Sequence, residues 1–208
     1  TAVVHMLNNI FKFGLLYKHV DKTVLLYFGV PGILGAFLGA FALKQLVELQ
    51  HFYIGTFAFS PLKAGVGLLM VFFALTELFP KLLQFNFKKK FLVPGGAISG
   101  FFGGISGHQG ALRSMFLIKV GMPKEVYIAT GVAIALLVDF TRIPVYLSSF
   151  NTAALRAELL TIVLATLAAF LGAIIGKKLI PKITLRSVHI VVGVFMIGMG
   201  LAMIFNVI

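Results

Sequence analysis

The chain has 208 residues, of which 60% are hydrophobic and 12% are charged, and its mean hydropathy is +1.04. Soluble domains contain about 25% charged residues, so this composition excludes a soluble protein and predicts an all-α, polytopic membrane protein with a single transmembrane domain, 1–208. The net charge of +12 fits the basic cytoplasmic loops of membrane proteins, so we expect no nucleic-acid partner. Cysteine is absent and the five histidines follow no metal-binding spacing, so we expect neither a metal nor another cofactor.

Apolar runs predict six membrane spans and one interrupted segment. The spans lie near 1–17, 24–43, 62–79, 126–148, 158–176 and 187–206. The interrupted segment, 91–119, contains a glycine-rich break that also holds His, Gln and Arg side chains. Lipid offers no hydrogen-bond partners to broken backbone, so such a break persists in a membrane only inside protein or beside a water-filled cavity. We therefore expect the break to line a cavity that receives a solute.

The distribution of basic residues predicts that 91–119 enters the membrane and turns back as a re-entrant helical hairpin. If this segment crosses once, the basic loop residues divide seven against seven between the two sides. If it turns back, twelve lie on one side and only Lys44 and Arg156 lie on the other. The positive-inside rule favours the second arrangement and predicts a cytoplasmic position for four loops. These loops are 18–23, 80–90, 119–125 and 177–186.

Internal similarity predicts that the chain contains two copies of one unit. The stretch Thr1–Tyr17 aligns with Thr130–Tyr146, and the sequence AFLGA occurs at both 36–40 and 169–173. An inverted-repeat bundle follows, because each copy has an odd number of crossings. The predicted copies cover 1–79 and 91–206. The first copy lacks a counterpart of the broken hairpin, so we expect the natural protein to carry an N-terminal hairpin before Thr1.

The break offers the hydrogen-bond donors that an anion needs. Anionic groups are bound by backbone N–H groups at a helix start, by an Arg guanidinium and by neutral amides or hydroxyls. We therefore predict substrate contacts at Ser106, Gly107, His108, Gln109, Gly110 and Arg113. One alternative is that the glycines only permit close packing and that Arg113 extends to the cytoplasmic surface. His108 is either a carrier of a coupled proton or simply a satisfied donor.

A second polar cluster lies within the fourth predicted span. Asp139 and Arg142 stand three residues apart, so they share one helical face, and burying either charge alone is costly. One interpretation is a structural ion pair, and the other is that Arg142 binds the anion while Asp139 holds it or takes up a proton. The first copy has polar residues at a similar height, which we predict as substrate contacts or as interhelical hydrogen-bond partners. They are Asn8, Asn9 and, in a secondary role, Lys12.

The order of these features resembles the TauE/SafE family of membrane transporters, also called sulfite exporters. That order is a glycine-rich broken segment, a short basic loop, a polar-centred span and a span with GxxxG spacing, occurring twice. Its most specific motif is 100–107, followed by 129–131. Close helix packing is predicted at the two GxxxG spacings, Gly35/Gly39 and Gly172/Gly176.

The resemblance covers essentially the whole chain and implies a function. Members export small anions such as sulfite, sulfonates or sulfoacetate across the bacterial plasma membrane, so it implies a secondary transporter with a small anionic substrate. This sequence departs from the family's mostly glycine break at His108, Gln109 and Arg113, which leaves the identity of the anion open.

Two other functions are weighed against a transporter. The short GxSG match at 104–107, with His189 in a later span, is the pattern of an intramembrane serine protease, but the inverted repeat is not a feature of that family. A passive anion channel would use the same donors to line a pore. The repeat with a broken helix favours a carrier, so we expect no enzyme activity. The expected partners are the anion and the lipid bilayer, and assembly into a homo-oligomer is left open.

Overall fold

The computed structural model describes residues 2–47, 52–54, 57–79, 91–107, 109–117, 120–148, 158–179 and 184–207. Its helices are α1 (Ala2–Leu16), α2 (Lys22–Val24), α3 (Val30–Val47), α4 (Pro61–Leu78), α5 (Leu92–Ser106), α6 (Gly110–Leu117), α7 (Lys124–Leu147), α8 (Leu159–Leu179) and α9 (Leu185–Ile204). A 3₁₀ turn, Tyr17–His19, follows α1, and a π-helical segment, Leu25–Gly29, joins α2 to α3. Between α3 and α4, strands β1 (Phe52–Ile54) and β2 (Phe57–Phe59) pair antiparallel.

The prediction of a helical membrane protein is confirmed. Three helical stretches are long and apolar enough to cross a membrane: Lys22–Leu46, Lys124–Leu147 and Leu159–Leu179. The other predicted spans are helices with shorter apolar portions or, in α1, with polar residues in the middle. The sequence patterns do not predict the strand pair.

The predicted broken hairpin is present as α5 and α6. At the break, Gly107 adopts a left-handed conformation (φ +76°), and its N–H donates to Gly103 O at 2.9 Å, which closes α5. The two arms then pack against each other: the Phe116 ring of α6 covers Gly95 of α5, and Ser99 Oγ donates to Gln109 O at 3.5 Å. At about 1.5 Å per residue, neither arm is long enough to span a hydrocarbon core of about 30 Å.

Both ends of this hairpin lie at the same end of the molecule. Leu92, at the start of α5, and Leu117, at the end of α6, belong to one hydrophobic cluster with Val24 of α2. At the same end, Lys177 Nζ of α8 donates to Leu15 O of α1 at 3.4 Å. The chain therefore turns back at the break, as the charge distribution predicts.

The hairpin is held against α3 by direct contact between backbones. The two helices run parallel, because Gly35 meets Ala97 O and, one turn later, Gly39 meets Phe101 O. A methyl group at either glycine would overlap the carbonyl of α5, so only glycine permits this approach. In a membrane, small residues stabilise helix pairs by this kind of close packing. The predicted packing role of Gly35 and Gly39 is confirmed.

The corresponding prediction for Gly172 and Gly176 is wrong for the part of the chain that the structure describes. No described atom lies within 4 Å of a methyl group built at either glycine. Both glycines lie on a face of α8 that contacts no described helix, and only 6% of the apolar window of α8 is buried, against 44% for the stretch that contains α3. The same AFLGA sequence therefore packs in one helix and lies exposed in the other.

The remaining helices place the polar residues at the centre of the bundle. α1 and α7 are antiparallel: Asp21 N, after α1, donates to Thr130 Oγ1 near the start of α7, while Asn9 of α1 reaches Asp139 farther along α7. α8 covers α1 through a Phe11–Phe170 ring stack with centroids 4.5 Å apart. α4 and α9 cross at Gly67 and Gly200. A methyl group built at Gly67 would lie 2.5 Å from Gly200 O, and one built at Gly200 would lie 2.8 Å from Gly67 O.

Candidate functional site

The centre of the site is a buried ion pair on α7. Arg142 Nη2 and Nε lie 2.7 and 2.9 Å from Asp139 Oδ1, and the two residues are 4% and 2% exposed. Their spacing of three residues puts both side chains on one face of the helix. An uncompensated charge at this depth would be costly, and the pairing removes that cost. The structure therefore brings these two predicted residues together.

Asn9 of α1 completes the coordination of the carboxylate. Its Nδ2 donates to Asp139 Oδ2 at 2.7 Å, while Oδ1 accepts from Arg142. One carboxylate oxygen of Asp139 thus accepts from a charged guanidinium and the other accepts from a neutral amide. Because donors from two helices occupy both carboxylate oxygens, this geometry favours a holding role for Asp139.

The Nη1 side of the Arg142 guanidinium faces the break of the hairpin. A methyl group at Gly107 would lie 2.6 Å from Nη1, so the absence of a side chain there makes room for the guanidinium. Tyr146, one turn farther along α7, lies with its ring 5.8 Å from Arg142 Cζ, and its hydroxyl donates to Gly104 O. Arg142 and Tyr146 are therefore the side chains through which α7 meets the end of α5.

Tyr146 is a site residue that the sequence patterns do not predict. Its signal is the spacing of four residues from Arg142, which places both on one helical face. A tyrosine near the end of a span is more often an interfacial anchor, so the spacing alone does not distinguish the two roles.

A second group of predicted residues gathers beside the pair. Lys12 Nζ donates to the side-chain oxygen of Asn8 at 3.0 Å, in the amide orientation that also lets Asn8 donate to Ala169 O at 3.3 Å. The Lys12 ammonium is close enough to the Arg113 guanidinium for the two like charges to repel. Arg113 itself lies along α7, with Nε 3.3 Å from a methyl built at Gly131. Helices α1, α6 and α7 therefore converge at this point.

The remaining predicted residues belong to the break itself. Ser106 Oγ donates to Phe102 O of its own helix at 2.9 Å, and Gly110 is the first residue of α6. Gln109 is 6% exposed and packs against Gly103 between the arms of the hairpin. Its Oε1 has no hydrogen-bond partner among the described residues. His108 lies outside the described residues.

The charge of the site is positive. Three cations, Lys12, Arg113 and Arg142, are accompanied by one carboxylate, that of Asp139, which gives a net charge of +2 (three minus one). The other acidic residues occupy helix ends or lie outside the described part of the chain: Asp21, Glu48, Glu77, Glu125 and Glu158. Asp139 and Arg142 are buried, whereas Lys12 and Arg113 are partly exposed. An excess of positive charge in a cleft attracts anions.

A family model described as sulfite exporter TauE/SafE matches residues 1–203, which include every site residue described above. A search of curated proteins and a search of solved structures each found no match. The family match and the apolar helices agree with the resemblance seen in the sequence. The chain belongs to the sulfite exporter TauE/SafE family.

Proposed function

We propose that the protein is a secondary transporter that exports sulfite, a sulfonate or another small organosulfur or organic anion by alternating access. The observation that carries the proposal is the buried guanidinium of Arg142. Asp139 occupies one edge of it, and the other edge faces the left-handed turn at Gly107. A guanidinium is permanently charged, is weakly hydrated and matches the geometry of oxyanions. An anion at the break would meet a cation that is already oriented.

The break would add neutral donors to this cation. Gly110 begins α6, so the N–H groups of its first turn have no partner within their own helix. Gln109 is buried beside them, and rotation of its amide would present Nε2 where Oε1 now lacks a partner. We include Ser106 and His108 in the proposed site because they flank Gly107, and Asn8 and Asn9 because they hold Lys12 and Asp139.

The contacts of the hairpin support alternating access. α5 meets α3 through direct backbone contacts at Gly35, Gly39 and Gly104, so α3 and the hairpin would move as one body. The hairpin meets α7 near the site through Arg142 and Tyr146, whose side chains can change rotamer without disturbing either helix. We propose that the site opens to alternate sides by movement of the first body against α1 and α7.

The proposed location is the bacterial plasma membrane, with the four basic loops in the cytoplasm. One common end of the molecule for these loops is supported by the described residues beside them. The two ends of the hairpin, α2 and the end of α8 lie at that end. The positive-inside rule then gives that end its cytoplasmic orientation. Substrate would enter from this end during export.

The test is flux through the protein in liposomes, with sulfite, thiosulfate, sulfoacetate and chloride, with and without a pH gradient. We expect saturable flux of a sulfur anion that the gradient accelerates. Replacing Arg142 by Gln should lower that flux at least about 30-fold, because loss of one partner of a buried pair costs about 2–5 kcal/mol. Arg142→Lys, which keeps the charge but not the fork, should retain part of the flux.

A double variant separates binding from folding. Arg142→Gln with Asp139→Asn removes both charges and leaves no buried charge without its partner. We expect this protein to remain folded in detergent and to have lost transport. Wild-type flux in the double variant would show that the pair is only structural. Fast, unsaturable chloride flux that ignores the gradient would instead indicate a passive channel.

A further inference from the structure

Gly104 is the point at which α7 is bonded to the pair of helices α3 and α5. A methyl group built at Gly104 would overlap Ala36 O of α3, so this turn of α5 lies directly against α3. The carbonyl oxygen of the same residue accepts the hydrogen bond of the Tyr146 hydroxyl of α7. Carbonyl groups in the last turn of a helix have no partner within that helix. The tyrosine therefore satisfies a backbone group that the break after α5 deprives of a helical partner.

The bond of Tyr146 lies beside the side of Arg142 that the break covers. Arg142 precedes Tyr146 by four residues on α7, and its Cζ lies 5.8 Å from the centre of the tyrosine ring. Its Nη1 faces Gly107, where a methyl group would lie 2.6 Å away and would therefore clash. A sulfur oxyanion is larger than a methyl group. It can bind between Nη1 and Gly107 only if the end of α5 moves away from α7.

A second tyrosine bonds α7 to the hairpin far from the break. Tyr127 Oη donates to Ser114 Oγ of α6 at 2.8 Å. Tyr127 and Tyr146 are 19 residues apart (146 minus 127), which is about 28 Å along α7. Loss of the Tyr146 bond would therefore free the break and leave the other end of the hairpin attached to α7.

We propose that Tyr146 is a latch on the anion site: its hydrogen bond to Gly104 holds the break closed over Arg142 in the empty transporter, and the anion binds when this bond opens. The inference rests on the proposed function and adds the step that controls access to its site. A binding-competent state that is only partly populated lowers the apparent affinity in proportion to its population. Loss of the latch should therefore raise the affinity, whereas loss of a residue that contacts the anion lowers it.

The test is Tyr146→Phe, which removes the hydroxyl and keeps a ring beside Arg142. In the purified protein without an anion, hydrogen–deuterium exchange of the amides at 107–112 should become about two- to tenfold faster, the effect of losing one neutral hydrogen bond. Exchange at 35–40, where α3 meets α5, should not change. Radiolabelled sulfate is the binding probe, because it is an oxyanion of sulfur that air does not oxidise. It should bind about two- to tenfold more tightly to the variant.

Tyr127→Phe is the matched control, because it removes the same group from the same helix at the other end of the hairpin. It should change the sulfate affinity and the exchange at 107–112 less than about twofold. Equal effects of the two variants would overturn the latch, and so would unchanged exchange in Tyr146→Phe or faster exchange with no gain in affinity.

Failure of the latch and failure of the proposed function are distinguishable. Weaker sulfate binding in Tyr146→Phe, with unchanged exchange, would make Tyr146 an anion contact, which overturns the latch and leaves the proposed function standing. Absence of saturable flux of any anion through the wild-type protein would overturn the proposed function. The exchange measurement would still show whether Tyr146 holds the break closed.

Discussion

Gly107 is the residue at which the hairpin turns and the residue that Arg142 touches. Its φ of +76° disfavours any residue with a Cβ, by roughly 1–2 kcal/mol. A Cβ would also displace the guanidinium, which lies 2.6 Å away. We therefore expect Gly107→Ala to lower the free energy of unfolding in detergent by about 1–2 kcal/mol, and to weaken anion binding more than the loss of stability explains.

The control for this change is Gly65→Ala. A methyl group there meets no described atom within 4 Å, and Gly65 lies in α4, outside the proposed site. Stability measured by denaturant titration and affinity measured by sulfate binding should both stay near the wild-type values. If the two alanine variants behave alike, neither the left-handed turn nor the contact with Arg142 matters.

Contacts within the site could be predicted from the sequence only between residues of the same helix. The Asp139–Arg142 pair follows from a spacing of three in an apolar span, and the structure places it as that spacing requires. Lys12 and Arg113 belong to two helices that are far apart in the chain, α1 (Ala2–Leu16) and α6 (Gly110–Leu117), so no local pattern contains their approach. The link from Asn9 to Asp139 crosses helices in the same way, and sequence symmetry indicates only its approximate height.

At the scale of elements, one sequence motif has two environments. Gly39 in α3 approaches Phe101 O of α5, whereas Gly172, in the same AFLGA sequence of α8, faces no described atom within 4 Å. We expect Gly39→Ala to destabilise the 208-residue chain by about 1–3 kcal/mol, the usual cost of overpacking. Gly172→Ala should be neutral or slightly stabilising, because alanine favours a helix by about 1 kcal/mol over glycine.

Unfolding by SDS titration, with helicity as the signal, measures both variants in the same way. A large loss of stability in Gly172→Ala, equal to that in Gly39→Ala, would contradict the packing described here. Gly39 and Gly172 also show that a GxxxG spacing alone does not predict a helix contact. The glycines allow a second helix to approach closely, but the rest of the bundle determines whether such a helix is present.

The elements themselves are more predictable than their contacts. The six spans follow from apolar length and the hairpin from charge counting, because both patterns reflect how a single segment interacts with lipid and water. The strand pair Phe52–Ile54 and Phe57–Phe59 lies in a connection with no span-like length, and aromatic residues there suit strands and apolar runs alike.

At the scale of the whole molecule, the decisive feature is that the hairpin returns to the end from which it enters. This topology makes the ends of α1 and α8 neighbours, as the Lys177–Leu15 hydrogen bond shows, and puts the end of α7 at the opposite side. It also determines how the basic loops are distributed. A segment that crossed once would instead separate the loops after α1 and after α8.

Labelling of single cysteines distinguishes these topologies, and the chain has no native cysteine to give a background. Lys18, Ser148 and Lys178 are exposed in the structure, so each can be replaced by Cys without disturbing the core. In intact cells, a membrane-impermeant maleimide should label Ser148→Cys at once and should reach Lys18→Cys and Lys178→Cys only after the membrane is permeabilised. Labelling of Lys18→Cys together with Ser148→Cys, while Lys178→Cys differs, would mean that 91–119 crosses the membrane. The proposed hairpin would then be wrong, and with it the cytoplasmic position of the basic loops from which the direction of export is argued.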